Sequence, residues 1–411
     1  MFFEGALIMK SVKKILFSLG ALLISGSLLY ADILFAFPSE ITMYANEVHK
    51  SSLGALVSIG DIPKNICVST NQDKVTPIQQ GEYSATLKIA NAIPFKKIKL
   101  RVTSPRSVYA SGELIGLRLH NRGLIVTQSS PIKSSESLIS PAENAGIVPG
   151  DVILEINGTP VRASEEVGAL LSENTTLTLM RNNSIKKVNV NPVRDEEDAR
   201  LKLGVWVRDS TAGVGTMTYF DAQSGTYGAL GHGISDSDTG IMFDVESGTI
   251  EKSRVVSIKK GQHGTPGEIC GSFSYEKNVT GTVYKNCESG IFGNIFPENN
   301  LYGTLFPVGV MSQVEVGDAY ILSTVDDAIK SYDISILRTM PFGSAAKGLM
   351  IKITDPALLQ KTGGIIQGMS GSPIIQNGKL IGAVTHVLVN DPTRGYGIFI
   401  ENMLAEAEKI K

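Results

Sequence analysis

A glycine-rich loop near the C-terminus has the composition of a nucleophile loop. Its sequence is Gly368-Met369-Ser370-Gly371-Ser372-Pro373. Glycines around a serine permit a sharp backbone turn that projects the hydroxyl into a cleft. The same turn lets the amides of Gly368 and Ser370 point at a developing oxyanion. The chemistry indicated is acyl transfer with Ser370 as nucleophile, and the alternative is an ordinary turn.

A general base for this serine is expected at His232, which stands between Gly231 and Gly233. It precedes Ser370 by 138 residues. Histidine followed by serine is the chain order of chymotrypsin-like proteases, in which histidine takes the serine proton and returns it to the leaving amine. Two other histidines compete. His263 is expected in an exposed loop, and His386 is expected to line or support the cleft.

The carboxylate that would orient the histidine is not decided by spacing. An orienting carboxylate needs a fixed support, and Asp355 follows the predicted strand Leu349 to Ile353, with Pro356 fixing the turn after it. Asp236 and Asp238 are expected to shape the turn after His232. The remaining candidates are Asp244, Asp318, Asp326, Asp327 and Asp333.

Residues 141–158 predict a compact series of elements ahead of this region. A short helix stops at Gly146, a turn follows, Val152 to Ile156 is a strand, and Asn157-Gly158 is a tight hairpin turn. An amphipathic helix over Glu165 to Leu171 comes next. Two further strands are predicted at Thr176 to Met180 and Lys186 to Asn191.

The pattern Pro-Ala-x-x-Ala-Gly-x-x-x-Gly-Asp-Val-Ile-x-x-x-Asn-Gly resembles a bacterial PDZ domain over about residues 105–193. The resemblance implies a groove between a strand and the second helix, where a peptide adds as a strand and backbone amides hold a terminal carboxylate. The carboxylate loop would be Ser111 to Gly116. The peptide-binding residues would be Leu114, Ile115, Gly116 and Leu117, although no clean Gly-Leu-Gly-Phe sequence is present. The alternative is a PDZ module that only packs against its neighbour.

The N-terminus carries a membrane signal. Lys10, Lys13 and Lys14 precede Ile15 to Ala31, a run of 17 uncharged and mostly apolar residues. No A-x-A-like cleavage site follows, which favours an uncleaved anchor over a long signal-peptide core. The basic flank would remain cytoplasmic, so the rest of the chain would be exported.

The predicted organisation has five parts and is mainly β. These are a cytoplasmic tail with a transmembrane anchor (1–37), a β-rich spacer (38–104), an α+β PDZ domain (105–193), a charged linker (194–200) and a serine peptidase domain (201–411). About 210 residues suit a chymotrypsin-like double β-barrel with the catalytic cleft between its barrels.

Composition excludes several other functions. The chain has 38 Lys and Arg against 40 Asp and Glu, a formal net charge of −2, which gives no reason to bind nucleic acid. Its three cysteines show no CxxC spacing, and its five histidines are scattered with no HExxH, so no metal site is predicted. No cofactor is implied, because a serine mechanism needs only the base, the orienting acid and the oxyanion amides.

The whole chain resembles the stage IV sporulation protein B peptidases of endospore-forming bacteria. The motifs that carry the resemblance are Gly-Ala-Leu-Gly-His232-Gly-Ile-Ser-Asp, Ile-Thr-Asp355-Pro, Gly-Met-Ser370-Gly-Ser-Pro-Ile and Ala-Val-Thr-His386-Val-Leu-Val-Asn-Asp-Pro-Thr. The resemblance implies a triad with His232 as base and acid, Asp355 as orienting carboxylate and Ser370 as nucleophile. An amide of Gly368 beside that of Ser370 would form the oxyanion hole.

The resemblance also implies a biological role. The enzyme would be anchored in the forespore membrane with its catalytic part in the intermembrane space, and it would cleave itself. Its protein substrate would be a membrane-bound regulator, whose cleavage activates an intramembrane metalloprotease that matures the late sigma factor. Two other hypotheses are a non-catalytic PDZ scaffold and a general envelope quality-control protease of the high-temperature-requirement type. In that last group the PDZ domain follows the protease, whereas here it precedes it.

Overall fold

A computed structural model describes residues 37–51, 56–63, 66–71, 74–134, 137–272, 279–296, 303–326, 328–340 and 344–410. The chain forms two compact units. The first runs to Pro105 and includes Val310–Val314 and Thr339–Ser344, and the second contains the remainder. The predicted anchor over Ile15 to Ala31 lies outside the described residues. Within the described part, no helix has the length and apolar character needed to cross a membrane.

The first unit is a small β structure that occupies the predicted spacer. Its sheets have the strand orders β1-β7-β6-β3 and β2-β5-β4. In β7 the apolar residues Ile98, Leu100 and Val102 alternate with basic residues and lie in the core, as expected for a strand with one buried face. The strands are β1 Glu40–Tyr44, β2 His49–Lys50, β3 Val57–Gly60, β4 Cys67–Asn71, β5 Lys74–Pro77, β6 Gly81–Ile89 and β7 Ile93–Thr103.

The second unit begins with a thirteen-stranded sheet whose main path is β15-β14-β12-β9-β18-β19-β25-β24. Two short helices belong to this part, α1 (Pro141–Asn144) and α2 (Val167–Leu170). The strands are β8 Ser107–Ala110, β9 Leu114–Ser129, β10 Ile132–Ser134, β11 Ser137–Ile139, β12 Val152–Ile156, β13 Thr159–Pro160, β14 Thr175–Arg181, β15 Ser184–Val190, β16 Val193–Arg194, β17 Leu201–Lys202, β18 Val205–Asp221, β19 Thr226–Ala229, β20 Val245–Lys252, β21 Arg254–Lys259, β22 Glu268–Ser272, β23 Val279–Thr282, β24 Lys285–Cys287, β25 Gly290–Asn294 and β26 Thr304–Pro307.

The second unit ends with a closed six-stranded barrel in the order β27-β28-β29-β32-β31-β30. Two helices flank its strands, α3 (Pro356–Thr362) and α4 (Ile400–Ala407). The strands are β27 Gly317–Thr324, β28 Ile329–Thr339, β29 Leu349–Ile353, β30 Pro373–Gln376, β31 Lys379–Leu388 and β32 Asp391–Phe399. This barrel corresponds to one half of the predicted double barrel, and among the described residues the thirteen-stranded sheet does not close into a second barrel.

Two long strands, β9 and β18, join the PDZ part to the peptidase part. They pair antiparallel from Leu114 opposite Thr216 to Ser129 opposite Val205. The first half of β9 therefore lies among peptidase strands, and the first residues of β18 lie among PDZ strands. The predicted boundaries at residues 193 and 201 therefore separate β9 from β18, although these two strands pair with each other. The reason is that a strand long enough to cross both parts gives no local sign in sequence of where one part ends.

The PDZ core also contains residues from the start of the predicted peptidase part. Leu203 is buried in a cluster with Leu124, Ile153 and Leu177, and Val205 and Val207 pack against that cluster. Residues beyond the predicted linker therefore complete the PDZ core, because the start of β18 fills the position next to β9.

Candidate active site

The nucleophile loop is held by threonines of β18. Thr216 donates its backbone N–H to the Ser370 carbonyl oxygen at 2.9 Å and its Oγ1 hydroxyl to the Gly368 carbonyl oxygen at 2.7 Å. Thr218 donates its Oγ1 hydroxyl to the Gly371 carbonyl oxygen at 2.8 Å. Both threonines are buried, so these bonds fix the loop in a water-poor environment.

Gly371 is required by the shape of this loop. Its φ is +97°, and a Cβ atom at this position would lie 2.0 Å from the Thr216 carbonyl oxygen. No side chain fits there without displacing β18. The predicted sharp turn around Ser370 is therefore present, and close approach to β18 is its second cause.

The two amides predicted for the oxyanion hole are available. Within the described part of the chain, neither the Gly368 N–H nor the Ser370 N–H donates to a protein acceptor, whereas the intervening Met369 N–H bonds to the Ile366 carbonyl oxygen. Unpaired backbone donors beside a nucleophile suit the stabilisation of negative charge on a tetrahedral intermediate.

His232 is turned into the cavity by two consecutive left-handed residues. Leu230 has φ +66° and Gly231 has φ +69°, and they directly follow strand β19. A left-handed leucine is strained by roughly 1–3 kcal/mol, which the fold must offset. The Nδ1 atom of His232 donates to the Gly233 carbonyl oxygen at 2.8 Å. This bond assigns the neutral tautomer whose Nε2 carries the free lone pair, as a general base requires.

His386 stands beside His232. Their ring centroids are 4.9 Å apart and the ring planes are inclined by 40°. Burial lowers the pKa of His232, while the bond to Gly233 acts in the opposite direction. The pKa of His386 is lowered to about 4, first by partial burial and then by the positive charges of His232 and Lys347. Both rings are therefore neutral at neutral pH.

Ser370, His232 and His386 line one cavity of about 410 Å³. No Asp, Glu, Lys or Arg side chain contributes to its described lining. The other lining residues are Leu117, Leu119, Thr211, Ala212, Gly213, Val214, Leu230, Ile234, Ile365, Ile366, Gln367, Gly368, Thr385 and Val387. An uncharged, largely apolar wall suits the binding of apolar side chains of a peptide.

The serine hydroxyl is engaged at rest. Ser370 Oγ donates to the Thr385 carbonyl oxygen at 2.7 Å. The bulge between Val384 and Val387 in the pairing of β31 with β32 contains Thr385 and His386. Attack therefore requires Oγ to leave this carbonyl and pass its proton to His232 Nε2.

Asp355 does not contact His232 in the structure. Its carboxylate is the N-cap of α3 and accepts the Leu358 N–H at 2.8 Å. Among the described residues, no hydrogen bond or ion pair links it to either histidine of the cavity. The structure thus does not place Asp355 against the histidine that it was expected to orient. The Asp-Pro sequence that suggested a fixed turn is a helix start.

The aspartates after His232 shape their own loop, as expected. Asp236 Oδ1 accepts the N–H groups of Asp238 and Thr239, and the Asp236 carboxylate also pairs with Arg208. These bonds hold the loop to β18 and bring no carboxylate to the His232 ring.

The PDZ groove is not at the predicted residues. The predicted residues, Leu114 to Leu117, lie in β9. One edge of β9 pairs with β18 at these residues, and from Ile115 onward the other edge pairs with β20. Both edges of the strand are occupied, so a peptide cannot add there. This is a correction of the predicted peptide-binding site and of the carboxylate loop Ser111 to Gly116.

A groove of about 880 Å³ lies instead between α2 and the start of β18. Val167, Leu171, Val205 and Val207 contribute apolar walls. At its end, the N–H groups of Leu203 and Gly204 bond to no acceptor in the described residues, although both carbonyls are used by Ala142 and Ser130. Helix, strand edge and free amides together are the parts of a PDZ peptide site.

Sequence reasoning missed Thr216, Thr218 and Thr385. Two threonines spaced by two in a strand share one face, which is the only signal that could have suggested Thr216 and Thr218. The role of Thr385 depends on a main-chain carbonyl and left no signal in its side chain.

Known protein families match parts of the chain. The family described as SpoIVB peptidase S55 matches residues 199–404, and the family described as PDZ domain matches residues 139–181. No curated protein gave a significant match.

Solved structures give weak similarities. The active form of the Rv3671c protease from M. tuberculosis is 12% identical, with 48% of this chain and 74% of that chain covered at a TM-score of 0.26. The inactive form of the Rv3671c protease is 13% identical, with 47% and 84% covered at 0.26. The HtrA-type protease AlgW with decapeptide is 10% identical, with 74% and 65% covered at 0.31.

The S55 match spans half of the 411 residues and contains both His232 and Ser370, the residues that the structure brings into one cavity. The chain belongs to the SpoIVB peptidase S55 family and is a serine endopeptidase that carries a PDZ domain.

Proposed function

We propose that the chain is a sporulation signalling endopeptidase that cleaves itself and a membrane-bound regulator of an intramembrane metalloprotease. The observation that carries the proposal is the meeting of Ser370 and His232 in one cavity beside two unpaired amides. In this mechanism Ser370 attacks the peptide carbonyl, His232 moves the proton, and the Gly368 and Ser370 amides hold the oxyanion.

The proposed location follows from the N-terminal sequence. An uncleaved anchor at Ile15 to Ala31 would place the catalytic part outside the forespore cytoplasm, where it meets a regulator held in the same membranes. The PDZ groove would then bind an extended segment of the regulator or of another copy of the chain. No cofactor takes part.

Self-cleavage is tested with the full chain produced in membranes as wild type and as Ser370→Ala. The intact mass of each is followed over time. We expect only the wild type to shorten, and shortening of both at the same rate would remove Ser370 from its role.

The signalling role is tested in an endospore former that lacks its own S55 peptidase. Wild type should restore late sigma-factor processing and spore formation, and Ser370→Ala should restore neither. Restoration by Ser370→Ala would favour the non-catalytic scaffold. Self-cleavage without any restoration would favour a protease of another pathway.

A further inference from the structure

Strand β18 has one paired edge and one open edge. Its paired edge faces β9 from Val205 to Thr216. On the other edge, the described residues pair with β18 only from Met217 onward, through β19. At roughly 3.3 Å per residue, the open edge before Thr216 is about 35 Å long.

Both functional cavities open onto this edge. Val205, Trp206 and Val207 line the PDZ groove, and residues 211–214 line the catalytic cavity beside Ser370. A single strand therefore forms a wall of the groove that binds peptides and of the cavity that cleaves them.

The middle of the edge is held by side chains. Asp209 accepts the N–H of Ser164 at 2.8 Å and its hydroxyl at 2.9 Å, which ties the 3₁₀ turn before α2 to β18. Arg208 pairs with Asp236 and Asp238 of the loop after His232. Because these contacts use side chains, they leave the outward backbone groups of β18 available for a strand partner.

We propose that one extended segment of the protein substrate pairs along the open edge of β18 and occupies the PDZ groove and the catalytic cavity together. This inference rests on the proposed peptidase function. Edge pairing supplies main-chain hydrogen bonds at both places, and the groove adds selection of apolar side chains that alternate along the segment.

The free amides give the segment a direction. The N–H groups of Leu203 and Gly204 lie at the start of β18 and suit a carboxylate or carbonyl at the C-terminal end of the bound segment. A segment antiparallel to β18 then has its C-terminal end at Gly204 and its N-terminal part near Ser370. The cleaved bond therefore lies toward the N-terminus of the bound segment. The spacing from Gly204 to Val214 places that bond roughly ten residues upstream of the anchored end.

The test uses the full chain in detergent and a library of long peptides from a proteome digest, with cleavage sites read by mass spectrometry. We expect apolar residues to be enriched next to the cleaved bond and again in a second window roughly eight to ten residues toward the C-terminus. Ser370→Ala provides the background.

Gly168→Trp isolates the groove. Gly168 lines the groove on α2, and a Cβ atom there meets nothing within 4 Å, so a large side chain enters open space. We expect this variant to cleave peptides that carry the second window at least ~10-fold more slowly and to cleave short peptides normally. Gly168→Ala leaves the groove open and is the matched control.

The outcomes separate the two proposals. Enrichment confined to residues next to the bond, or equal losses in Gly168→Trp and Gly168→Ala, would overturn the shared edge and leave the peptidase standing. If wild type cuts nothing that Ser370→Ala leaves intact, the peptidase function and the shared edge fall together.

Discussion

Ser370 and His232 each bond to a main-chain carbonyl in the resting site. Ser370 Oγ is held by Thr385 and His232 Nδ1 by Gly233. The Gly233 carbonyl fixes the tautomer of the base, which is one of the two tasks of a triad carboxylate. The Gly233 carbonyl carries no full negative charge. Stabilisation of the His232 imidazolium must therefore come from other dipoles around the cavity.

Asp355 is expected to act on stability and not on chemistry. Asp355→Asn retains an N-cap acceptor and should keep near-normal kcat, whereas Asp355→Ala should lower the free energy of unfolding by about 1 kcal/mol. Denaturant unfolding and peptide cleavage of both variants check this. A fall of roughly 10⁴-fold in kcat for Asp355→Asn would restore the triad role.

The pH dependence of cleavage should follow His232. The base acts when neutral, and burial lowers its pKa below 6.5, so kcat/KM should stay high down to below pH 6.5 and fall as pH drops through the lowered pKa. His386→Ala admits water beside the His232 ring, so the pH at which kcat/KM falls should rise toward 6.5. His386→Phe keeps the ring covered, so this pH should stay low. An unchanged acid limb in His386→Ala would contradict this role.

At the scale of elements, local signals predicted most of the PDZ turns. Gly146, Asn157 and Gly158 have positive φ, and β12 has the predicted bounds, because each depends on residues close in sequence. The groove could not be predicted in the same way. It pairs α2 with β18, whose identity as a PDZ strand depends on a register set by β9 far earlier in the chain.

The active site also combines residues that have local sequence signals with residues that depend on distant segments. The proposed nucleophile and base have glycine neighbours that make them predictable from sequence, whereas the supports of the loop lie on a distant strand. Thr216 holds Ser370 across 154 residues, and periodicity within a strand carries no information about such a partner.

The nucleophile loop should not tolerate a side chain at Gly371. Gly371→Ala places a Cβ atom against the Thr216 carbonyl oxygen, so we expect the loss of at least about 2 kcal/mol of stability and of most activity. Gly378→Ala is the matched control, since its φ is +73° and a Cβ atom there meets nothing within 4 Å. It should cost about 1 kcal/mol and keep activity. Equal effects in the two variants would contradict the close approach of the loop to β18.

At the scale of the whole molecule, the peptidase part should not fold when cut at the predicted linker. A fragment of residues 201–411 lacks β9, which pairs with β18 over its length. Removing it exposes one edge and one face of β18, including the core residues that pack on Leu117 and Leu119. We expect an insoluble fragment without a cooperative thermal transition by circular dichroism. A soluble, active fragment would show that β9 is dispensable.

The shared strand pair also sets an order of events as the chain is synthesised. As the chain emerges N-terminus first, β9 and the rest of the PDZ sequence appear before β18. Leu203, Val205 and Val207 complete the PDZ core, so that domain cannot finish folding until the first residues of the peptidase part have been made. Contacts between such distant segments slow folding. A PDZ domain that finishes folding only with its protease cannot capture a substrate before the catalytic part has begun to assemble.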